Sequence, residues 1–565
     1  MKNVSIIRCT AAFILMLPIV LCALPAQSQA LTTEQWRNDL AFLAKELPKQ
    51  HRAPFHKISP QAFDSAVAAL NSRIPTLKDY EVVVGLTKLV AMIGDGHTRL
   101  TLPQDQTIAY SRAHTTTPPP SDSSLFLNHL PVKLALFDDG LFIQATTPAF
   151  KHLIGAQVLQ IGAASAADAA IEKVRPVVHY DNEMGFKLLA PTFLVVPEFL
   201  AALGLTDNAQ QAFLKVKTQQ GAVQEVVLAP VPLFKAPDFV DAYEVLGTKA
   251  PLSQRNRKEK YWMEFLPETK TLYVQVNEVY NKEDESIAAF SARIEKFIAA
   301  HPTSRLVLDL RYNPGGNNRL SRPLLLALIR NEQVNQFGRL YMLIGRETFS
   351  AAQMLANEME YYTNTIFAGE PSGSSPSAYG DSRKLYLPNS NLTIRASTIY
   401  WRDWHINEKR PWTEPDIIVG YTSEDYLKGR DPALEAVLKL PADSDISTIM
   451  QQIYDQNGIM SAAWAYSRFI LDARTSQPQI EKAEKDFGQY LLQKEKGKDA
   501  AIWYGEMSSL RKGTIWPLHG LAQAHLLNKE TQKAEAVLEK ILTLDPNNKQ
   551  AKNLLSSIRK KKAQG

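Results

Sequence analysis

The order of apolar and polar positions divides the chain into a helical opening, a β-rich middle, an alternating strand–helix stretch and a helical end. Trp36, Leu40, Leu43 and Leu47 recur at helical spacing behind Thr32-Thr33-Glu34, which reads as a helix start. Ser59-Pro60 opens a second helix through Leu70, and a third runs from Asp79 through Met92 to the turn Gly94-Asp95-Gly96. Residues 101–125, rich in Thr, Pro and Ser, read as a loop or linker. After Pro131 the period drops to two. Val132, Leu134 and Leu136 alternate up to Asp138-Asp139-Gly140, and Leu141 and Ile143 follow, which predicts a hairpin. Residues 155–161 add a strand and 164–174 a helix. Residues 213–216 and 223–228, split by Gln219-Gln220-Gly221, form a further hairpin, and 185–206 is an apolar, helical insert.

From about residue 260 strands and helices alternate. Strands are expected at 271–276, 306–310, 340–344 and 365–367, and helices at 285–299, up to Arg330 and from Ser350 onward. The short apolar run at 306–310 suits a strand covered on both faces. This alternation predicts an α/β domain with a largely parallel sheet. Pro441-Ala442-Asp443-Ser444-Asp445 reads as a linker, and everything beyond it is helical. Residues 515–548 resemble a single 34-residue tetratricopeptide (TPR) unit, with 549–558 as its cap. Residues 447–512 would supply degenerate partners, because one such unit cannot bury its apolar face alone.

Composition narrows the class. The 565 residues allow three or four domains, and 45% hydrophobic with 21% charged residues is ordinary for a globular chain. The N-terminus has the form of a secretory signal: Lys2 and Arg8, an apolar stretch at 11–24, and the small-x-small pattern Ser28-Gln29-Ala30. The expected mature chain begins at Leu31 and is exported, periplasmic or secreted. Leu21 is too large for a lipobox before Cys22. The only two cysteines, Cys9 and Cys22, lie within this signal, so the mature chain has no disulfide, no thiolate metal site and no cysteine nucleophile. No later segment is apolar for long enough to span a bilayer. The net charge of +5 is not concentrated on one element, apart from a short basic cluster at 559–562 near the end of the last helix, so no nucleic-acid partner is expected.

Three segments carry candidate chemistry. Gly94-Asp95-Gly96-His97-Thr98 sets a histidine on a turn freed by glycines; its ordinary reading is a helix end with an incidental histidine. Leu308-Asp309-Leu310-Arg311-Tyr312-Asn313-Pro314-Gly315-Gly316-Asn317 ends a buried strand in two glycines, where backbone N–H groups can face an anion; otherwise it is a plain strand-to-helix turn. Thr348-Phe349-Ser350-Ala351-Ala352 opens a helix with a serine, which is either an N-cap or a nucleophile at the positive helix end. No zinc-protease helix motif, phosphate loop, dinucleotide fingerprint or Gly-x-Ser-x-Gly elbow is present, and neither metal nor cofactor is expected. His51 and His56 read as a partly buried surface pair, and His405 as part of an aromatic cluster with Trp401 and Trp404.

Together and in this order, the three segments resemble the tail-specific, or C-terminal-processing, serine peptidase family, and more closely its tricorn-like branch. Gly369-Glu370-Pro371-Ser372-Gly373, Leu387-Pro388-Asn389-Ser390 and Pro415-Asp416-Ile417 support the likeness, which covers about residues 31–440. The resemblance implies a crotonase/Clp-protease-like α/β core at 241–440, preceded by a signal at 1–30, a helical segment carrying the histidine at 31–125 and a PDZ-like module with a helical insert at 126–240. A TPR-like helical domain at 445–565 lies outside the likeness. The implied nucleophile is Ser350, with His97 as general base, Glu408 as the acid orienting it, and Gly315, Gly316 and the Ala351 N–H as oxyanion donors. Glu414 and Asp403 are the other acids in range. The lysine used by another branch is missing from Ser372-Gly373-Ser374-Ser375-Pro376-Ser377. The implied activity is hydrolysis of peptide bonds in protein or peptide substrates, with a protein partner for the C-terminal repeats as a further expectation. The alternative is a non-catalytic protein binding peptides or hydrophobic ligands on the same scaffold.

Overall fold

The computed structural model describes residues 30–102, 125, 127–232, 238–402, 407–441, 444–471 and 475–564. The signal segment with Cys9 and Cys22, most of the 101–125 linker, and Asp403, Trp404 and His405 lie outside the described residues.

The N-terminal helices form where the periodicity places them. Thr32 and Gln35 close a capping box on helix Thr33–Gln50, which buries Trp36, Leu40, Leu43 and Leu47. Ser59 caps Pro60–Arg73, whose Pro60 gives up an N–H that would have had no partner anyway. Helix Asp79–Ala91 is buried along most of its length and delivers the chain to the 94–98 turn. Residues 99–101, the last of them expected to open the 101–125 loop, are a strand (Arg99–Thr101) on the edge of a hairpin formed by Ala378–Tyr386 and Thr393–Trp401. The sequence reading did not foresee that hairpin.

The middle of the chain forms an antiparallel sheet of six strands. Val132–Phe137, Gly140–Thr146, Gln157–Ile161, Ala212–Lys217 and Val223–Leu228 follow one another, and the short Val240–Asp241 joins Gly140–Thr146. The apolar insert is two helices, Glu183–Phe193 and Pro197–Ala202. They share one apolar cluster with the sheet and the N-terminal helices.

The α/β core is a six-stranded sheet. Tyr261–Leu266 pairs antiparallel with Thr271–Val276, and Arg305–Asp309, Leu340–Ile344, Ile366–Gly369 and Ile417–Ile418 follow in parallel. Every residue of the three central strands Thr271–Val276, Arg305–Asp309 and Leu340–Ile344 is buried, because both faces are covered. Leu272, Val274, Leu306, Leu308, Leu340 and Met342 pack against helices Ile287–Ala300, Arg322–Arg330 and Ala351–Tyr362. The alternate residues Tyr273, Val307, Tyr341 and Leu343 pack against helices Pro432–Lys439 and Ile446–Asn457. The start of the helical end therefore completes the core of the sheet. Arg305 ties helix Pro432–Lys439 to the sheet: wholly buried, it donates to the carbonyls of Val437 and, at 2.6 Å, Leu440 at the end of that helix. The last helices, Ile515–Leu527, Thr531–Leu544 and Lys549–Gln564, stack on a small cluster of their own. Among the described residues no helix is long and apolar enough to cross a membrane.

Candidate active site

The turn after helix Asp79–Ala91 is built around Asp95. Its Oδ1 accepts the N–H of His97 at 3.0 Å, the N–H of Thr98 at 2.8 Å and the Ser397 hydroxyl at 2.8 Å. Its Oδ2 lies 2.9 Å from Nε2 of His51, whose Nδ1 accepts the Ala53 N–H at 3.0 Å. That second bond fixes the tautomer, so Nε2 of His51 carries the proton and donates it to Asp95. Burial opposes the charge on Asp95, yet the hydrogen bonds from His51, Thr98 and Ser397 and the nearby His51 hold its carboxyl well below the usual carboxylate range. His51 is only 4% exposed and belongs to the inner wall of the turn, which corrects its reading as a surface residue.

This turn presents His97 to the start of helix Ala351–Tyr362. His97 Nε2 lies 3.0 Å from Ser350 Oγ. The Phe349 ring stacks on the imidazole at 4.5 Å, and it approaches so closely that a Cβ on Gly96 would lie 2.8 Å from it, so a larger residue there would have to push the ring away. Ser350 has φ +54° and ψ −123°, a backbone state that disfavours any residue with a side chain. Its hydroxyl makes no capping bond to the helix it opens. The N-cap alternative is therefore not what occupies the hydroxyl: it faces histidine while the helix's positive end lies behind it.

The two glycines separate in role. Gly315 donates its N–H to Asn313 Oδ1 at 2.8 Å, so that amide is already used and is not an oxyanion donor. What Gly315 provides is space, since a Cβ there would lie 2.6 Å from the Ser350 Cβ. Gly316, at φ +142°, and Ala351, first residue of its helix, both line the cavity beside Ser350. The N–H of neither is spent on a described acceptor.

Burial is the main force lowering His97, to about 4; Arg99 lowers it further, while Asp95, Asp381 and the Tyr379 carbonyl act in the opposite sense. The imidazole is therefore neutral at pH 7 and can accept a proton. Its Nδ1 is buried and makes no well-aligned hydrogen bond among the described residues, the Tyr379 carbonyl being the backbone acceptor felt by the ring. Glu408 does not fill that position. Its carboxylate accepts the Arg410 N–H at 2.7 Å and Nε at 2.9 Å, and Arg410 also bridges to Glu360. Glu360 lies ten residues along the helix from Ser350, about 15 Å at 1.5 Å per residue. Glu414 is exposed and accepts from the Trp412 ring N–H, and Asp403 is outside the described residues.

Two further groups at this turn were not singled out in the sequence. Asp95 is one; its place two residues before His97, where a short carboxylate captures following N–H groups, is the signal that could have found it. Asp181 is the other. It accepts the Gly96 N–H at 2.7 Å and the Ser374 hydroxyl at 2.8 Å, and burial pushes it up to about 6. Nothing local in the sequence announces that contact. The cavity holding Ser350 and His97 is small, about 40 Å³, and is walled by Met354, Ala378, Tyr379 and Trp401. A larger cavity of about 650 Å³ lies elsewhere, among the N-terminal helices, and contains neither residue. No group of His, Asp or Glu among the described residues is arranged to hold a metal.

No protein-family model matches the chain, and no curated protein matches it. Among solved structures it is similar to mature CPAF complexed with lactacystin, at 13% identity and TM-score 0.49, over 75% of this chain and 99% of that one. It is similar to the photosystem II D1 C-terminal processing protease at 11% identity and TM-score 0.35, over 73% and 98% of the two chains. It is also similar to the tricorn protease at 11% identity and TM-score 0.33, over 72% of this chain and 36% of that one. All three TM-scores are below 0.5, so the roles assigned below come from this chain's own geometry.

Proposed function

We propose that the chain is an exported serine endopeptidase that hydrolyses peptide bonds through an acyl-enzyme on Ser350. The observation that carries this reading is the 3.0 Å contact between His97 Nε2 and a Ser350 hydroxyl that caps nothing. His97, neutral at pH 7, takes the hydroxyl proton as Ser350 attacks a substrate carbonyl. The Gly316 and Ala351 N–H groups hold the oxyanion of the tetrahedral intermediate. Its collapse transfers the proton from His97 to the leaving amine, and water then releases the acyl group by the same steps. The buried charge of Asp95 stabilises the imidazolium formed on the way, a role sequence resemblance gave to Glu408.

The same reading assigns 1–30 as an export signal. The six-stranded antiparallel sheet supports reading 126–240 as a PDZ-like module. The stacked terminal helix pairs support a TPR-like end with a protein-binding face. The reading as a non-catalytic scaffold has no observation in its favour, because a strained serine held against a neutral histidine is a costly arrangement with no packing purpose. Incubation with unfolded casein tests the proposal. The wild-type chain is expected to cut it and Ser350→Ala to leave it intact; equal cutting by both, or none by a folded wild type, would reject it.

A further inference from the structure

On the helix that Ser350 opens lies a buried acceptor with no donor among the described residues. Gln353, three residues along the helix from Ser350 and so on the same side of its first turn, lines the small cavity and is 2% exposed. Its orientation is fixed by its neighbours. Asn357 donates Nδ2 to the Pro376 carbonyl at 2.8 Å, which can only accept, so Asn357 Oδ1 faces Gln353. Gln353 Nε2 donates to that oxygen at 2.7 Å and to Thr413 Oγ1 at 2.7 Å, which uses both amide hydrogens. Turning the amide over would set oxygen against oxygen. The remaining atom, Oε1, is buried and accepts from no described group. A buried carbonyl oxygen left in this way is unusual and calls for a donor.

The rest of the cavity limits what can supply that donor. At about 40 Å³ it is well below the 300–1,000 Å³ typical of sites for drug-sized molecules, so it holds one small side chain. Ser374 and Ser375 also line it, but both hydroxyls are spent as donors, on Asp181 at 2.8 Å and on the Pro411 carbonyl at 2.8 Å. Met354, Ala378 and Pro376 add apolar wall, and Asn318, Tyr379, Asp381 and Trp401 bring further polar atoms to the lining.

We infer that Gln353 selects the substrate residue whose carbonyl Ser350 attacks, taking a small side chain with an O–H or N–H donor: serine, threonine or asparagine. This rests on the peptidase reading of Ser350 and adds its substrate class. Threonine and valine have nearly the same shape, so the donor alone separates them. Losing it leaves Oε1 unpaired in the transition state and lowers kcat/KM by about 10- to 100-fold.

The experiment uses the full chain. Cleavage sites in unfolded casein are mapped by mass spectrometry, and fluorogenic peptides built on the strongest site are varied at the residue supplying the carbonyl, as the pairs threonine/valine and serine/alanine. The expected result is a preference of at least 10-fold for the donor-bearing member of each pair. Equal or reversed rates would overturn the inference. In Gln353→Met the preference is expected to fall to within about 3-fold; its persistence in a folded variant would remove Gln353 as the cause. The wild-type pairs decide the matter even where that variant fails to fold. Labelling of Ser350 by a fluorophosphonate keeps the two readings apart. A chain that labels and cuts without preference loses only this inference, whereas a folded chain that neither labels nor cuts loses the peptidase reading and this inference with it.

Discussion

Replacing Asp95 by asparagine tests whether a buried charge stands behind His97. The Asp95 Oδ1 holds three donors, from His97, Thr98 and Ser397, and an amide oxygen can keep all three. That forces the new NH₂ toward His51 Nε2–H, the partner of Oδ2 at 2.9 Å. His51 cannot resolve the clash by moving its proton to Nδ1, because Nδ1 already faces the Ala53 N–H at 3.0 Å. One buried donor is left unpaired, at a cost of about 1–3 kcal/mol in folding stability. The orientation of the turn survives, so any change in reactivity reports the lost charge. At an effective dielectric constant of about 20, a unit charge about 7 Å from an imidazolium is worth about 2 kcal/mol, or about 30-fold in rate, which sets the scale of the effect expected. The assay is the second-order rate of fluorophosphonate labelling between pH 5 and 8, alongside the urea midpoint of the same variant. Labelling within about two-fold of wild type, with an unchanged midpoint, would refute the role given to Asp95.

Four further outcomes follow from the site. Burial lowers His97 from an ordinary 6.5 to about 4, so labelling should stay flat from pH 7 to about 5 and fall by half near pH 4; a midpoint near 6.5 would show a solvated imidazole. The same group titrates near 6.5 when unfolded, so between 6.5 and 4 the unfolded chain binds more protons and folding weakens as the pH falls. Gly316→Ala would place a Cβ 2.5 Å from the Val279 carbonyl at φ +142°, displace the oxyanion donor and lower kcat by about 10²–10³, with the casein rate as readout. Glu408→Gln breaks a partly exposed ion pair with Arg410, so it should cost about 1 kcal/mol or less in urea unfolding and leave labelling within about two-fold; a loss beyond 100-fold would restore Glu408 as the acid behind His97.

What could be read from the sequence and what could not divide along the range of the interactions. Helix Thr33–Gln50 and strand Leu340–Ile344 were legible because capping, periodicity and short apolar runs are properties of neighbouring residues. The strand–helix alternation gave the α/β core for the same reason. The hairpin of Ala378–Tyr386 and Thr393–Trp401 was not legible, since its strands mix exposed and buried positions without a clean period of two. Nor was the cover on the far face of the core sheet, where Val437 from the last helix of the core and Ile449 from the helical end share one apolar cluster with Tyr341. At the site, Ser350, His97 and the double glycine were marked by motif, whereas the donor role of Gly315 failed because its N–H turns to Asn313 only two residues away. The Asp181 contact with Gly96 joins positions 85 residues apart, and the unmet acceptor of Gln353 exists only because Asn357, Thr413 and Pro376 converge on it.

Whether His97 makes Ser350 reactive is measured directly by active-site labelling followed by peptide mapping. A fluorophosphonate should leave one adduct, on Ser350, at pH 7. No adduct should form on Ser350→Ala, and the rate on His97→Ala should be lower by several orders of magnitude, given that loss of either partner in such a pair costs up to about 10⁶. An adduct mapped to a different serine, or a His97→Ala rate equal to wild type, would contradict the pairing of Ser350 with His97.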